Sequence, residues 1–141
     1  MNYQVIYFTR TGNSKRVAEK LAKSLACAAI EIRDNVNWNG FFGFMKGGYY
    51  ASFNKNVDIK VTGNIDDVDE LVLVTPMWAG KITPAAKAFL KMSPIAKINL
   101  VVTSGGSSLK ERAGFKSVTD VCENQKNEDI VLAELVKSLQ S

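Results

Sequence analysis

Three runs of β-forming, almost continuously apolar residues dominate the chain: Tyr3–Phe8 (YQVIYF), Glu70–Thr75 (ELVLVT) and Ile98–Thr103 (INLVVT). A strand with one wet face alternates apolar and polar side chains, and these runs do not alternate. They read as strands buried on both faces, the mark of a parallel sheet covered by helices. Helical periodicity fills the intervals. Val17, Ala18, Leu21, Ala22 and Leu25 recur at helical spacing before a second strand, Ala29–Arg33 (AIEIR). Thr83 and Pro84 open a helix as cap and N1 proline, with Ala85, Ala88, Phe89 and Met92 on its apolar face and Pro94 at its end. Phe115–Val121 is expected as the last strand and Ile130–Leu139 as a C-terminal amphipathic helix. This alternation predicts an α/β fold with a doubly wound parallel sheet. Residues 1–141 are expected to form one domain with a real core.

Asn35–Lys55 (NVNWNGFFGFMKGGYYASFNK) breaks the pattern. Glycines punctuate a row of aromatics, so a loop with at most one or two helical turns is expected. Trp38, Phe41, Phe42, Tyr49 and Tyr50 either cover the core or line a ligand pocket or partner surface.

Ligands of doubly wound sheets bind outside the carboxyl ends of the strands. Three loops rich in Gly, Ser and Thr occupy that edge: Thr9–Ser14, Thr75–Ile82 and Ser104–Ser108. The first runs Thr9-Arg10-Thr11-Gly12-Asn13-Ser14, directly between a buried strand and a helix start. Helix N-termini carry unpaired N–H groups and partial positive charge, so they attract phosphate. Thr9, Thr11, Asn13 and Ser14 add side-chain donors, and Gly12 allows close backbone approach. Elsewhere such a turn would read as an ordinary helix cap. Its place after the first buried strand, with two more loops on the same edge, favours an anion site.

The rest of the chain narrows the chemistry. There is no histidine, which excludes Ser-His and Cys-His pairs and the usual acid–base residue near neutral pH. Reactivity must come from a carboxylate, an amine, a thiol or a bound cofactor. No GxxxxGK[ST] or GxGxxG motif is present, which argues against a nucleotide P-loop or a dinucleotide fingerprint. The first and third strands end in Thr9 and Thr75 rather than carboxylates, unlike a phosphoacceptor domain, and the first loop holds no nucleophilic cysteine. Cys27 and Cys122 lie far apart and read as reduced thiols, consistent with a cytoplasmic protein. Residues 1–8 do not resemble a signal peptide, and no apolar run reaches the roughly 18 residues of a membrane span. The net charge of +4 is scattered among acids, so a nucleic-acid partner is not expected.

These residues resemble the flavodoxin family over nearly the whole chain. Thr9-Arg10-Thr11-Gly12-Asn13-Ser14 is similar to its [ST]-x-T-G-N-[ST] loop, which holds the phosphate of FMN. Thr75-Pro76-Met77-Trp78-Ala79-Gly80 resembles the loop that covers one face of the flavin ring, and Ser104-Gly105-Gly106 the second flavin loop. Gly40–Gly48 resembles a set of small flavodoxin-like proteins.

The resemblance implies a five-stranded parallel sheet of order 2-1-3-4-5 and FMN as cofactor. Thr9, Thr11, Asn13 and Ser14 would bind its phosphate, Trp78 would stack on or edge the ring, and the Gly80 carbonyl would turn toward the flavin N5–H on reduction. The cofactor then carries the redox chemistry and no protein acid or base is required. Partners would be a redox protein or a small electron donor or acceptor, and a homodimer is compatible with this reading.

The chain departs from that family's acidic shuttles in three ways. It is net basic, it lacks an aromatic in the second flavin loop, and Ser107–Val121 leaves room for only a very short helix. An open flavin face would admit a nicotinamide or quinone, so an FMN-dependent NAD(P)H or quinone oxidoreductase stands beside an electron carrier. The contrasting class is a non-enzymatic module of the same fold that docks a partner through residues 36–53.

Overall fold

The computed structural model describes residues 2–53, 55–61, 63, 65 and 68–141. In chain order they form β1 (Tyr3–Tyr7), α1 (Asn13–Ser24), β2 (Ala29–Asp34), α2 (Gly40–Ser52), β3 (Ile59–Val61), β4 (Glu70–Trp78), β5 (Lys81–Ile82), α3 (Pro84–Phe89), β6 (Ile98–Ser104), β7 (Ser117–Cys122) and α4 (Glu128–Gln140). No described helix is long and apolar enough to cross a membrane.

The sheet has seven strands in the order β3-β2-β1-β4-β6-β7, with β5 paired to β4. β2, β1, β4, β6 and β7 pair in parallel, while β3 and β5 are antiparallel additions. The α/β character and the mostly parallel sheet follow expectation. The five-strand sheet of order 2-1-3-4-5 is corrected to seven strands. The added strands are three and two residues long, too short to show a period in the sequence.

The buried runs behave as two-faced strands. Val5 and Tyr7 of β1, Val72 and Val74 of β4 and Val101 of β6 pack against Val17, Leu21, Leu132 and Leu135 of α1 and α4. Their neighbours Ile6, Phe8, Leu71, Leu73, Leu100 and Val102 point the other way, onto Trp38, Ala85, Ala86 and Phe89. Alternating side chains thus build two cores, one on each side of the sheet.

The stretch expected as a loop is the 13-residue helix α2. Its buried residues are Gly43, Gly47 and Ala51, spaced by four on one face. A Cβ on Gly43 would lie 1.9 Å from the Trp38 carbonyl oxygen, and one on Gly47 would lie 3.1 Å from Trp78 Cε3. Glycine costs a helix about 1 kcal/mol per residue, which is why the sequence reads as a loop. Here the missing side chains let the helix lie directly on Trp38 and Trp78, and that close packing outweighs propensity.

Three smaller differences bear on the site. β4 continues through Trp78, and Ala79 (φ 53°) and Gly80 (φ 75°) turn it back onto β5 as a tight hairpin, where the loop Thr75–Ile82 was expected. Positive φ at both central residues suits the twist of a two-residue hairpin. Thr83 caps α3 as expected, its hydroxyl accepting from Ala86 N–H at 3.3 Å. That helix nevertheless stops at Phe89, buries Ala86 rather than Ala88, and leaves Met92 outside it and exposed. The connection from β6 to β7 holds no helix.

Candidate functional site

The carboxyl ends of β1, β4, β6 and β7 open into a cleft of about 730 Å³. That volume lies within the roughly 300–1,000 Å³ typical of cofactor and small-molecule sites. The three loops expected to converge all reach it. Thr9, Arg10, Thr11, Asn13 and Ser14 form one end, Pro76, Met77, Trp78 and Ala79 one side, and Ser104 and Gly105 another.

The first loop presents a helix start with its N–H groups open. Gly12 is the N-cap of α1 at φ 100°, a left-handed conformation, and no side chain caps the helix. Thr9 Oγ1 accepts instead from Gly12 N–H at 2.9 Å, which folds the loop back on itself. The N–H groups of Asn13, Ser14 and Lys15 in the first turn therefore have neither an intrahelical acceptor nor a side-chain cap. No acid occupies that turn. The alternative of a self-capped helix start is not what this turn forms.

Other expected residues have different tasks. Ser14 Oγ is buried and lies 3.0 Å from Thr103 Oγ1. One hydroxyl of this pair donates to the other, and the second proton is left for a guest, since both residues line the cleft. Arg10 donates from Nε to the Trp38 carbonyl (2.8 Å) and from Nη2 to the Gly40 carbonyl (2.9 Å), tying the loop to the entry of α2. Asn13 Oδ1 accepts from Arg16 Nη1 at 2.8 Å.

Four expected residues do not line the cleft. Gly12 lies behind it as the cap. Thr75 is fully buried and hydrogen-bonded to Thr83 Oγ1 at 2.8 Å. Gly106 packs on the Asn124 side chain. The Gly80 carbonyl accepts from Lys110 N–H at 3.1 Å, so the peptide rotation implied by the resemblance would break that bond.

Trp78 lines the cleft half-buried, with its ring edge-on to Phe8 (5.8 Å) and Trp38 (4.9 Å). Trp38 itself is buried and donates from Nε1 to Asp34 Oδ2 at 2.7 Å, so it is a core residue. Of the aromatics singled out between residues 35 and 55, Tyr49 reaches the cleft, Tyr50 packs on Trp38, and Phe41 and Phe42 face outward.

The remaining wall is α2, in the segment whose aromatics were expected either to cover the core or to line a pocket; the sequence did not reveal that it is a helix. Gly43, Phe44, Met45, Gly47, Gly48 and Tyr49 line the cleft, and a Cβ on Gly48 or Gly105 would meet no atom within 4 Å. Both glycines thus border open space that a flat guest can approach closely. The far rim is charged. Arg16, Lys126, Glu123 and Glu128 line it. Glu128 Oε1 accepts from Arg16 Nη2 at 2.6 Å, and its other oxygen accepts from Lys20 Nζ. Cys122 donates its thiol to the Gly105 carbonyl at 3.5 Å, and neither cysteine is in a disulfide. The buried carboxylate Glu70 lies at the opposite ends of the strands, held by Lys116 and Asn99, and takes no part in the cleft.

The hydrogen bond from Arg16, helped by Lys20, lowers the Glu128 carboxyl from 4.5 to about 2. A carboxylate held down in this way adds stability that is complete above its ordinary pKa and is lost as pH falls toward its folded value. Arg16 and Lys20 are half-exposed, so solvent screening limits the gain to about 1 kcal/mol. Between about pH 5 and pH 2 the wild type should lose roughly that much more stability than Glu128→Gln. Urea unfolding across that range checks this, and parallel curves would refute it.

No protein-family model matches the chain, and no curated protein is detectably similar to it in sequence. Solved structures are similar throughout its length. A proposed flavoprotein of Bacteroides eggerthii superposes with a TM-score of 0.71 at 22% identity, covering 95% of each chain. A flavoprotein of Lactobacillus acidophilus in complex with FMN gives 0.65 at 15% identity, over 92% of this chain and 97% of that one. A flavodoxin, WrbA-like protein of Agrobacterium tumefaciens gives 0.55 at 14% identity, over 99% and 97%. The chain has the flavodoxin-like fold of these flavoproteins.

Proposed function

We propose that the chain is an FMN-binding redox protein of flavodoxin type, which carries electrons or reduces a small acceptor through its bound flavin. The observation that carries this reading is the uncapped start of α1 at one end of a cleft whose other walls are Trp78 and two bare glycines. A phosphate satisfies the open N–H groups, and a flat aromatic ring suits the space beside Gly48 and Gly105. The FMN complex of the Lactobacillus acidophilus relative supports the same choice.

Thr9, Thr11, Asn13 and the Ser14–Thr103 pair would hold the phosphate. Trp78, Gly48, Ser104 and Gly105 would border the ring. When bound, the flavin supplies the electron or hydride chemistry. The protein's part is to position the ring and tune its potential by charge. Three cations (Arg10, Arg16, Lys126) face two carboxylates (Glu123, Glu128) around the cleft, which favours an anionic guest. No aromatic of the second flavin loop covers the cleft from its side, so a small acceptor such as a quinone, with NAD(P)H as donor, fits better than a purely protein-to-protein shuttle. A cytoplasmic location belongs to this reading.

Titration of purified protein with FMN tests it. The expected result is stoichiometric quenching of flavin fluorescence with Kd near or below about 1 µM, or a yellow protein that releases FMN on denaturation. No spectral change and no thermal shift at saturating FMN would leave the non-enzymatic module as the better account. Turnover of NADPH with a quinone by the holoprotein would separate a reductase from a carrier.

A further inference from the structure

α2 turns its small residues inward and leaves its outer side apolar. Phe41, Phe42 and Phe53 are 72%, 82% and 67% exposed, and none of them lines the cleft. Met45 and Tyr49 stand between Phe41 and Phe53 at four-residue intervals, at the edge where this outer side meets the cleft they line. A contiguous patch of this kind on a soluble domain marks an interaction surface.

The charges around the ridge identify its occupant. Residues 35–57 contain no Asp or Glu, and their charged side chains are Lys46 and Lys55. Lys55 Nζ lies 5.7 Å from the Tyr49 ring centroid, and the Arg10 guanidinium lies 5.8 Å from that of Phe44. Lys46 Nζ donates to the carbonyl of Asn37, in the segment that leads into the helix. At one flank Asp34 is occupied by Trp38 Nε1 and Val36 N–H, and at the other Asp58 follows the segment. A second copy of the chain would bring the same cations into one desolvated seam without carboxylates to meet them. A protein partner would be expected to find polar anchors, whereas Phe41, Phe42, Met45 and Phe53 offer none. An aromatic ridge edged by cations suits an anionic lipid surface on both counts.

We propose that α2 docks this protein on an anionic bilayer surface. Phe41, Phe42 and Phe53 enter the headgroup–acyl boundary, while Lys46 and Lys55 face the lipid phosphates. The helix lies in the plane of the interface, and the cleft it walls opens beside the membrane. The inference rests on Phe41, Phe42, Phe53, Lys46 and Lys55, none of which lines the cleft, and so stands apart from the cofactor assignment.

Co-sedimentation with vesicles of phosphatidylcholine, alone or mixed with an equal part of phosphatidylglycerol, tests the proposal. The protein should pellet with the anionic vesicles and stay largely in solution with the neutral ones. Added salt should weaken the binding. The triple variant Phe41→Ser, Phe42→Ser, Phe53→Ser and the double variant Lys46→Glu, Lys55→Glu should each lower partitioning at least about tenfold. Circular dichroism and FMN uptake of both variants report separately on the fold and the cleft, so a failure of docking and a failure of the flavin reading are distinguishable. Wild-type protein left in the supernatant with both vesicle types would overturn the proposal. So would folded variants that bind as well as wild type. A concentration-dependent dimer that the serine variant abolishes, without vesicle binding, would assign the ridge to a second copy instead.

Discussion

Gly48→Leu is expected to abolish FMN uptake while leaving the fold intact. Gly48 lies on α2, lines the cleft, and has no atom within 4 Å of the position a Cβ would take. Its backbone is regular helix, so a leucine there improves local propensity by up to about 1 kcal/mol rather than straining it. The branched side chain then projects into the open part of the cleft proposed for the flavin ring. Affinity should fall at least about a hundredfold, or roughly 3 kcal/mol, with thermal stability unchanged or slightly raised. Fluorescence titration beside a melting curve reads both. A variant that takes up FMN as tightly as wild type would show that the ring does not approach α2, and the cleft would then need a different guest. A variant that melts early would show instead that Gly48 is packed, against the open space seen beside it.

How much of this was legible in the sequence depended on how each element announces itself. Strands buried on both faces leave long apolar runs, so β1, β4 and β6 could be read directly. The apolar face of α1 also stands as read, because Val17, Ala18, Leu21 and Ala22 repeat at helical spacing and all are buried. The first loop stood out as a candidate anion site because Gly12, Asn13 and the flanking hydroxyls follow the first strand without a gap. Its partner Thr103 did not, since a threonine at the end of a β run looks like a strand former until the fold places it beside Ser14. β3 and β5 carry too few residues for any period. α2 was lost for a different reason. Its buried residues are Gly43, Gly47 and Ala51, so the stripe seated on the core is small rather than large, while its phenylalanines are exposed. A reading that seeks apolar residues on the buried face inverts such a helix. The one local clue was the four-residue spacing of Gly43, Gly47 and Ala51, which is weak until Trp38 and Trp78 are known to lie beneath it. The charged rim could not be foreseen either, since Arg16 and Glu128 are far apart in sequence and meet only when α1 and α4 pack on one face of the sheet.

Gly43→Ala is expected to be the most costly alanine substitution among the described glycines. The chain entering α2 folds back so closely that the new Cβ would sit 1.9 Å from the Trp38 carbonyl oxygen and 2.0 Å from its carbonyl carbon. Backbone cannot rotate out of the way as a side-chain tip can, so the helix must lift off Trp38. Arg10 resists that movement, because it holds both the Trp38 and Gly40 carbonyls from the first loop. Overpacking of this kind costs about 1–3 kcal/mol or more, and the gain in helix propensity returns at most about 1 of it. A net loss of about 2 kcal/mol should lower the melting temperature by roughly 6–10 °C in a domain of this size. FMN affinity should fall with it, because lifting α2 displaces Gly47 from Trp78 and opens the wall between them. The paired measurement separates the two glycines. Gly48→Leu should lose the ligand and keep the fold, whereas Gly43→Ala should weaken both together. If Gly43→Ala melts with wild type, α2 is not seated on Trp38, and the cleft, its glycine wall and the outward phenylalanine ridge lose their common support.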